Sequence, residues 1–232
     1  MCTRVLWSGT HGAVLVGRNM DYHRDTETDL WKLPRGVKRD DCASGELTWT
    51  SKYGSVIAAG FNIVALDGMN EAGLGGHLLV LAESTYGTRD ASRPGLGLAV
   101  WLQYYFDNFA TVAEAVRWTE QSRVQVVPVT DPATGESPVL HMALEDATGD
   151  SAIIEYIDGD ARIYHHRDYR VLTNSPTYDR QLALAARITG LGGSAPIPGS
   201  TLASDRFGRA SYYLTRLPEV KSQVEAIAAI FS

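Results

Sequence analysis

The sequence predicts an α+β fold, and three observations predict it. The first 17 residues read as a hairpin of two apolar, β-rich runs. Strand-like runs separated by turns dominate again from 124 to 172. Between and after these blocks lie segments with the length and apolar spacing of helices. Strands, then two helices, then strands, then helices arrange most simply as one layered domain over residues 1–232.

The elements follow in order. Thr3 to Trp7 and Ala13 to Gly17 flank a turn cluster, Ser8-Gly9-Thr10-His11-Gly12. A turn centred near Thr10 sets Cys2 opposite Arg18 and returns Asp21 to the same end of the hairpin. Gly54 to Gly60 and Ile63 to Leu66 read as a second strand pair, with Asp67-Gly68-Met69-Asn70 as a turn and Leu78 to Leu81 as a short buried strand. Leu98 to Phe109 is strongly apolar and reads as a buried helix. Thr111-Val112-Ala113-Glu114 has the form of a capping box and opens a helix to about Gln121. Val124 to Val129, Val139 to Leu144, Ser151 to Ile157, Ala161 to His165 and Tyr169 to Leu172 suggest an antiparallel meander. Asp179 to Ile188, Arg206 to Leu217 and Glu219 to Phe231 read as helices, with Ser204 or Asp205 as an N-cap.

Composition narrows the classes of function. The net charge is −6 and no Lys/Arg run occurs, which argues against nucleic-acid binding. No apolar stretch approaches the ~20 residues of a membrane span. The opening residues lack the apolar segment of a secretory signal, so a cytoplasmic location is expected, or a periplasmic one if a signal has been removed. The two cysteines, Cys2 and Cys42, do not make a disulfide scaffold. The six histidines show no metal-ligand spacing, so no metal is expected. Gly-x-Ser-x-Gly is absent, which leaves a serine triad unsupported.

Cys2 carries the chemistry. Removal of Met1 would give one residue both a thiol and a free α-amine, and an amine beside a thiol can take its proton. Taken alone, the position also suits an ordinary terminal residue. Arg18 and Asp21 can hold the thiolate and orient the amine, or form a plain surface pair. Asn174, before Ser175-Pro176, can donate to an oxyanion or cap a turn. Arg206 can turn from an early helical position toward such a site.

Taken together, Cys2-Thr3-Arg4, Gly17-Arg18-Asn19-Met20-Asp21, Asp67-Gly68-Met69-Asn70-Glu71-Ala72-Gly73-Leu74, Leu172-Thr173-Asn174-Ser175-Pro176-Thr177-Tyr178 and Ser204-Asp205-Arg206-Phe207 resemble the choloylglycine hydrolase family, which contains bile salt hydrolases and penicillin V acylases. Leu30 to Gly36 and Leu81-Ala82-Glu83-Ser84 look more like the acylase-like branch of Gram-negative bacteria, some members of which cleave N-acyl homoserine lactones. The resemblance implies an N-terminal-nucleophile αββα sandwich that hydrolyses linear, non-peptide amides of small acyl substrates through a thioester, without metal or cofactor, after Met removal or autoproteolysis. It implies a homo-oligomer, a tetramer. Residue by residue, it makes Cys2 the nucleophile, Arg18 and Asp21 its positioning groups, Asn174 an oxyanion donor and Arg206 a stabiliser of the charged site.

Three departures set further expectations. Bile salt hydrolases carry Asn where this chain has Val80, so here only a backbone N–H completes the oxyanion hole, which argues against a typical bile salt hydrolase. His77-Leu78-Leu79 replaces the residues expected of the acylase branch. Family members continue past residue 232, so a C-terminally truncated sandwich is expected. Two other activities stay open: a bile salt hydrolase, and a non-catalytic relative that only binds amphipathic ligands.

Overall fold

The computed structural model describes residues 1–9, 13–61, 63–130, 135–217 and 222–231. In chain order the strands are β1 (Cys2–Ser8), β2 (Val14–Met20), β3 (Asp29–Leu33), β4 (Lys38–Asp40), β5 (Thr48–Thr50), β6 (Ser55–Gly60), β7 (Val64–Asn70), β8 (Gly75–Val80) and β9 (Gly95–Gly97). A 3₁₀ turn, Leu98–Val100, leads into α1 (Trp101–Asn108), followed by α2 (Val112–Gln121). Then come β10 (Gln125–Val127), β11 (Leu140–Glu145), β12 (Ser151–Ile157), β13 (Asp160–His165), β14 (Val171–Leu172), α3 (Tyr178–Ala185), α4 (Ala203–Leu214) and α5 (Gln223–Phe231).

Two sheets form the centre. One is antiparallel, in the order β13-β12-β11-β8-β7-β6-β3, and the other runs β14-β1-β2. Their inner faces meet where β1 crosses β8. α1 and α2 cover the outer face of the larger sheet, and α4 and α5 cover the outer face of the smaller one, with α3 packed on α4. The chain therefore builds the four layers of an αββα sandwich. β11 is buried at every position and β12 at all but its last, as strands covered on both faces must be.

β1 shows how local pattern becomes placement. Its buried residues alternate, Cys2, Arg4 and Leu6, so these three face the larger sheet. The hairpin register differs from the expected one: Cys2 pairs with Met20 and Arg4 with Arg18. The loop is centred one residue later than Thr10, because Ser8 pairs with Val14 and the Gly9 N–H donates to the Ala13 carbonyl. Thr10 to Gly12 lie outside the described residues. Each residue keeps its face because the register moved by two, an even number. Arg18 thus sits diagonally beside Cys2 on the inner face.

Other expectations need correction. Asp67 to Asn70 is the second half of β7 and not a turn; the reversal falls at Glu71 to Gly73. Asp67 is tolerated in the strand because arginine and histidine side chains satisfy its inward carboxylate. β10 pairs in parallel with β9, outside the meander. Neither Ser204 nor Asp205 caps α4; both lie in its first turn, after Leu202. The last helix begins at Gln223, and 219–221 lie outside the described residues. Thr111 does cap α2, accepting the Glu114 N–H at 3.2 Å. Among the described residues no helix is long and apolar enough to cross a membrane.

Candidate active site

The first residue of β1 brings Cys2 to the edge of the inter-sheet space, where it is 4% exposed. Its backbone N–H donates to Asn174 Oδ1 at 2.7 Å. Arg18 comes from β2, with Nη2 3.8 Å from the sulfur and 2.8 Å from the Leu78 carbonyl. Nη1 of the same guanidinium donates to Asp67 Oδ2. Burial pulls the Arg18 pKa down, and the Cys2 sulfur pushes it back up. A fixed cation at this position favours the thiolate, the reactive form of cysteine.

Asn174 follows β14, the strand that pairs with β1, which is how residues at opposite ends of the sequence meet. Both ends of its amide are engaged. Oδ1 takes the Cys2 N–H and Arg206 Nη2, the latter at 2.9 Å, and Nδ2 donates to the Val80 carbonyl at 2.8 Å. The Nδ2 that sequence reasoning assigned to an oxyanion is occupied in this geometry by the Val80 carbonyl; what the Oδ1 contacts is the backbone nitrogen of Cys2. Beneath it lies a fully buried frame. His141 Nε2 is 2.9 Å from the Thr173 carbonyl, its Nδ1 is 3.1 Å from Glu155 Oε1, and the Tyr178 N–H meets both Glu155 oxygens.

Arg206, in the first turn of α4, reaches the Cys2 carbonyl and Thr3 Oγ1 through Nη1. It contacts the backbone of Cys2 and not its thiol. Burial lowers the Arg206 pKa while the charge of Cys2 raises it. Asp21 touches the N-terminus through its backbone: its carbonyl accepts from the Met1 amine, and its N–H donates to the Met1 carbonyl at 2.6 Å. Its carboxylate acts on Arg206 only through its field.

Val80 closes the arrangement. The Leu81 N–H donates to the Val139 carbonyl at 3.0 Å, so in the β8–β11 pair the neighbouring Val80 N–H points away from β11. The β7–β8 ladder on that side ends at the Asp67–His77 rung, short of Val80. A cavity of about 190 Å³ opens there, lined by Cys2, Met20, Tyr22, Phe61, Leu66 and Val80 among others. Its walls are mainly apolar, so it can seat an apolar group against the thiol.

A second set of residues escaped sequence reasoning as a group. Arg4, Glu145, His77 and the half-buried Asp67 form a hydrogen-bonded chain of ionisable groups behind Arg18. One signal was available: Arg4 occupies an inward position of an alternating strand, where a cation needs a partner. Among the described residues no cluster of metal-ligating side chains occurs.

A cysteine at the start of an inner strand, between two antiparallel sheets layered by helices, is the architecture of N-terminal-nucleophile hydrolases. The comparisons specify the family. A model described as linear amide C–N hydrolases, choloylglycine hydrolase family, matches residues 2–232, and the chain belongs to that family. It is 45% identical over 223 residues to a penicillin V acylase of Pectobacterium atrosepticum, covering 92% of this chain and 59% of that protein. A penicillin V acylase structure from Agrobacterium tumefaciens superposes with a TM-score of 0.89 at 50% identity, over 99% of this chain and 70% of that one. A conjugated bile acid hydrolase from Clostridium perfringens shares the fold, with a TM-score of 0.84 at 21% identity, over 100% of this chain and 78% of that one. The chain thus spans less than two thirds of the length of the Pectobacterium relative.

Proposed function

We propose that this chain, once Met1 is removed, hydrolyses linear amides bearing an apolar acyl group, through a thioester on Cys2. The observation that carries this reading is the Cys2 nitrogen held 2.7 Å from Asn174 Oδ1, with the thiol opening on an apolar cavity. Met1 itself is 51% exposed at the chain end. Its removal would turn the held nitrogen into the α-amine without moving it.

In this reading the α-amine takes the thiol proton. Arg18 favours the resulting thiolate, which attacks the acyl carbonyl. The Val80 N–H receives the developing oxyanion. The α-ammonium returns its proton to the leaving amine as the C–N bond breaks. The amine then deprotonates a water, which hydrolyses the thioester to the carboxylic acid and frees the thiol. Asn174 keeps the amine aimed and Arg206 braces Asn174 and the Cys2 carbonyl; the Asp21 backbone, freed of its bonds to Met1, lies beside the new N-terminus. No metal or cofactor enters these steps.

Penicillin V, the substrate named for the two closely similar relatives, carries a phenoxyacetyl group that suits such a cavity, as does the acyl chain of an N-acyl homoserine lactone. The same proposal takes residues 1–232 as a single domain, the cytoplasm (or the periplasm after removal of a signal) as its location, and a homo-oligomer as its assembly. The test compares release of phenoxyacetate from penicillin V with hydrolysis of a glycine-conjugated bile salt, for the parent and for Cys2→Ala. Preferential cleavage of penicillin V that Cys2→Ala abolishes supports the reading. Preference for the bile salt supports the second activity, and retained Met1 with no turnover supports a relative that only binds.

A further inference from the structure

We propose that His77 is a positioning residue for the Cys2 thiol, acting through Asp67 and Arg18. The inference rests on the reading of Cys2 as nucleophile. His77 lies on β8, between Asp67 of β7 and Glu145 of β11. Its Nδ1 is 2.7 Å from Asp67 Oδ1, and its Nε2 is 2.9 Å from Glu145 Oε1. Ionised carboxylate oxygens only accept, so a ring that satisfies both donates from both nitrogens. Each carboxylate is also held from the opposite sheet. Arg18 of β2 donates to Asp67 Oδ2, and Arg4 of β1 donates to Glu145 Oε2 at 2.5 Å. Among the described residues these four are the charged groups that face His77, directly or through a carboxylate, from the elements around it.

The consequence is mechanical as well as electrostatic. A guanidinium is planar, and its aim is set by the acceptors its nitrogens meet. Asp67 on Nη1 and the Leu78 carbonyl on Nη2 fix the Arg18 plane, with Nη2 3.8 Å from the sulfur. His77, pinned at both ring nitrogens, fixes the Asp67 carboxylate in turn. Without that ring, Asp67 is free to rotate and take both Arg18 nitrogens, drawing Nη2 off the sulfur.

The test reads the thiol itself. Cys42 is the other free thiol and is exposed, so the parent for the experiment carries Cys42→Ala. Alkylation of Cys2 by iodoacetamide is followed against pH by intact mass. His77→Gln is expected to move the rate–pH midpoint up by about one unit and to slow alkylation at neutral pH about tenfold. In an Asp67→Asn background the same substitution is expected to add no further shift. A folded His77→Gln protein whose profile superposes on the parent's overturns the proposal, as does an undiminished shift in the Asp67→Asn background. If His77→Gln does not fold, the parent's ¹⁵N-histidine spectrum decides. Protons on both His77 nitrogens, with shifts that follow Cys2 ionisation, support the proposal; a single neutral tautomer blind to Cys2 overturns it. Hydrolysis that survives Cys2→Ala would defeat the nucleophile reading separately, since alkylation needs no turnover.

Discussion

Asn174 Oδ1 accepts the Cys2 N–H at 2.7 Å, although 172 positions separate the two residues. The pairing of β14 with β1 brings them together, and the amide then ties the N-terminal residue to the Val80 carbonyl and to Arg206. Asn174→Ala releases the nitrogen that the proposed mechanism uses as its base. The expected result is a fall in kcat of about 10²-fold with little change in KM, the size of effect that misplacing a catalytic group produces. Steady-state kinetics on an acyl amide checks it; a kcat within about threefold of the parent's would remove Asn174 from the site.

The cavity makes a separate prediction. Ile63 lines it and is 61% exposed, so a charge there tests substrate seating with little risk to the core. Ile63→Asp is expected to raise KM for a phenoxyacetyl amide about tenfold, the cost of losing roughly one buried aliphatic contact. Alkylation of Cys2 by the small reagent iodoacetamide should not change.

Glu145 predicts how stability responds to acid. Burial alone pushes its carboxyl up, but His77 and Arg4 outweigh burial and hold it at about 2. The ordinary value for an unfolded chain is about 4.3. A carboxyl depressed on folding stabilises the protein above the unfolded value, and that contribution is lost as pH falls toward the folded one. Urea midpoints of the parent should therefore drop between about pH 5 and pH 2. Glu145→Gln should be less stable at neutral pH, yet its midpoint should fall less steeply across the same range.

Thr111 offers a local check on the fold. Its side chain caps α2 by accepting the Glu114 N–H, and Glu114 returns a bond to the Ala110 N–H at 2.8 Å. Thr111→Ala should cost about 1 kcal/mol of stability and leave activity unchanged.

Local pattern carried much of this structure. The β-rich runs of the first hairpin, the capping box at Thr111 and the apolar run into α1 each specify their element without help from the rest of the chain. The α+β layering and the family followed from such segments and from short motifs in order. What sequence reasoning missed is non-local. Asp67 reads as a turn residue because its partners, Arg18 and His77, lie on other strands. β3 and the β4–β5 and β9–β10 pairs are short, and nothing in their own residues names their neighbours. Asn174 was marked as functional, but which atom of its amide faces Cys2 depends on Val80 and Arg206, each held by a different element.

The central claim is that the nitrogen of Cys2 becomes a free amine serving its own thiol. Intact-protein mass spectrometry before and after a short incubation with penicillin V tests it most directly. The account predicts a mass lacking Met1 and a transient phenoxyacetyl adduct that is absent in Cys2→Ala. Turnover by protein that retains Met1, or by Cys2→Ala, would contradict it.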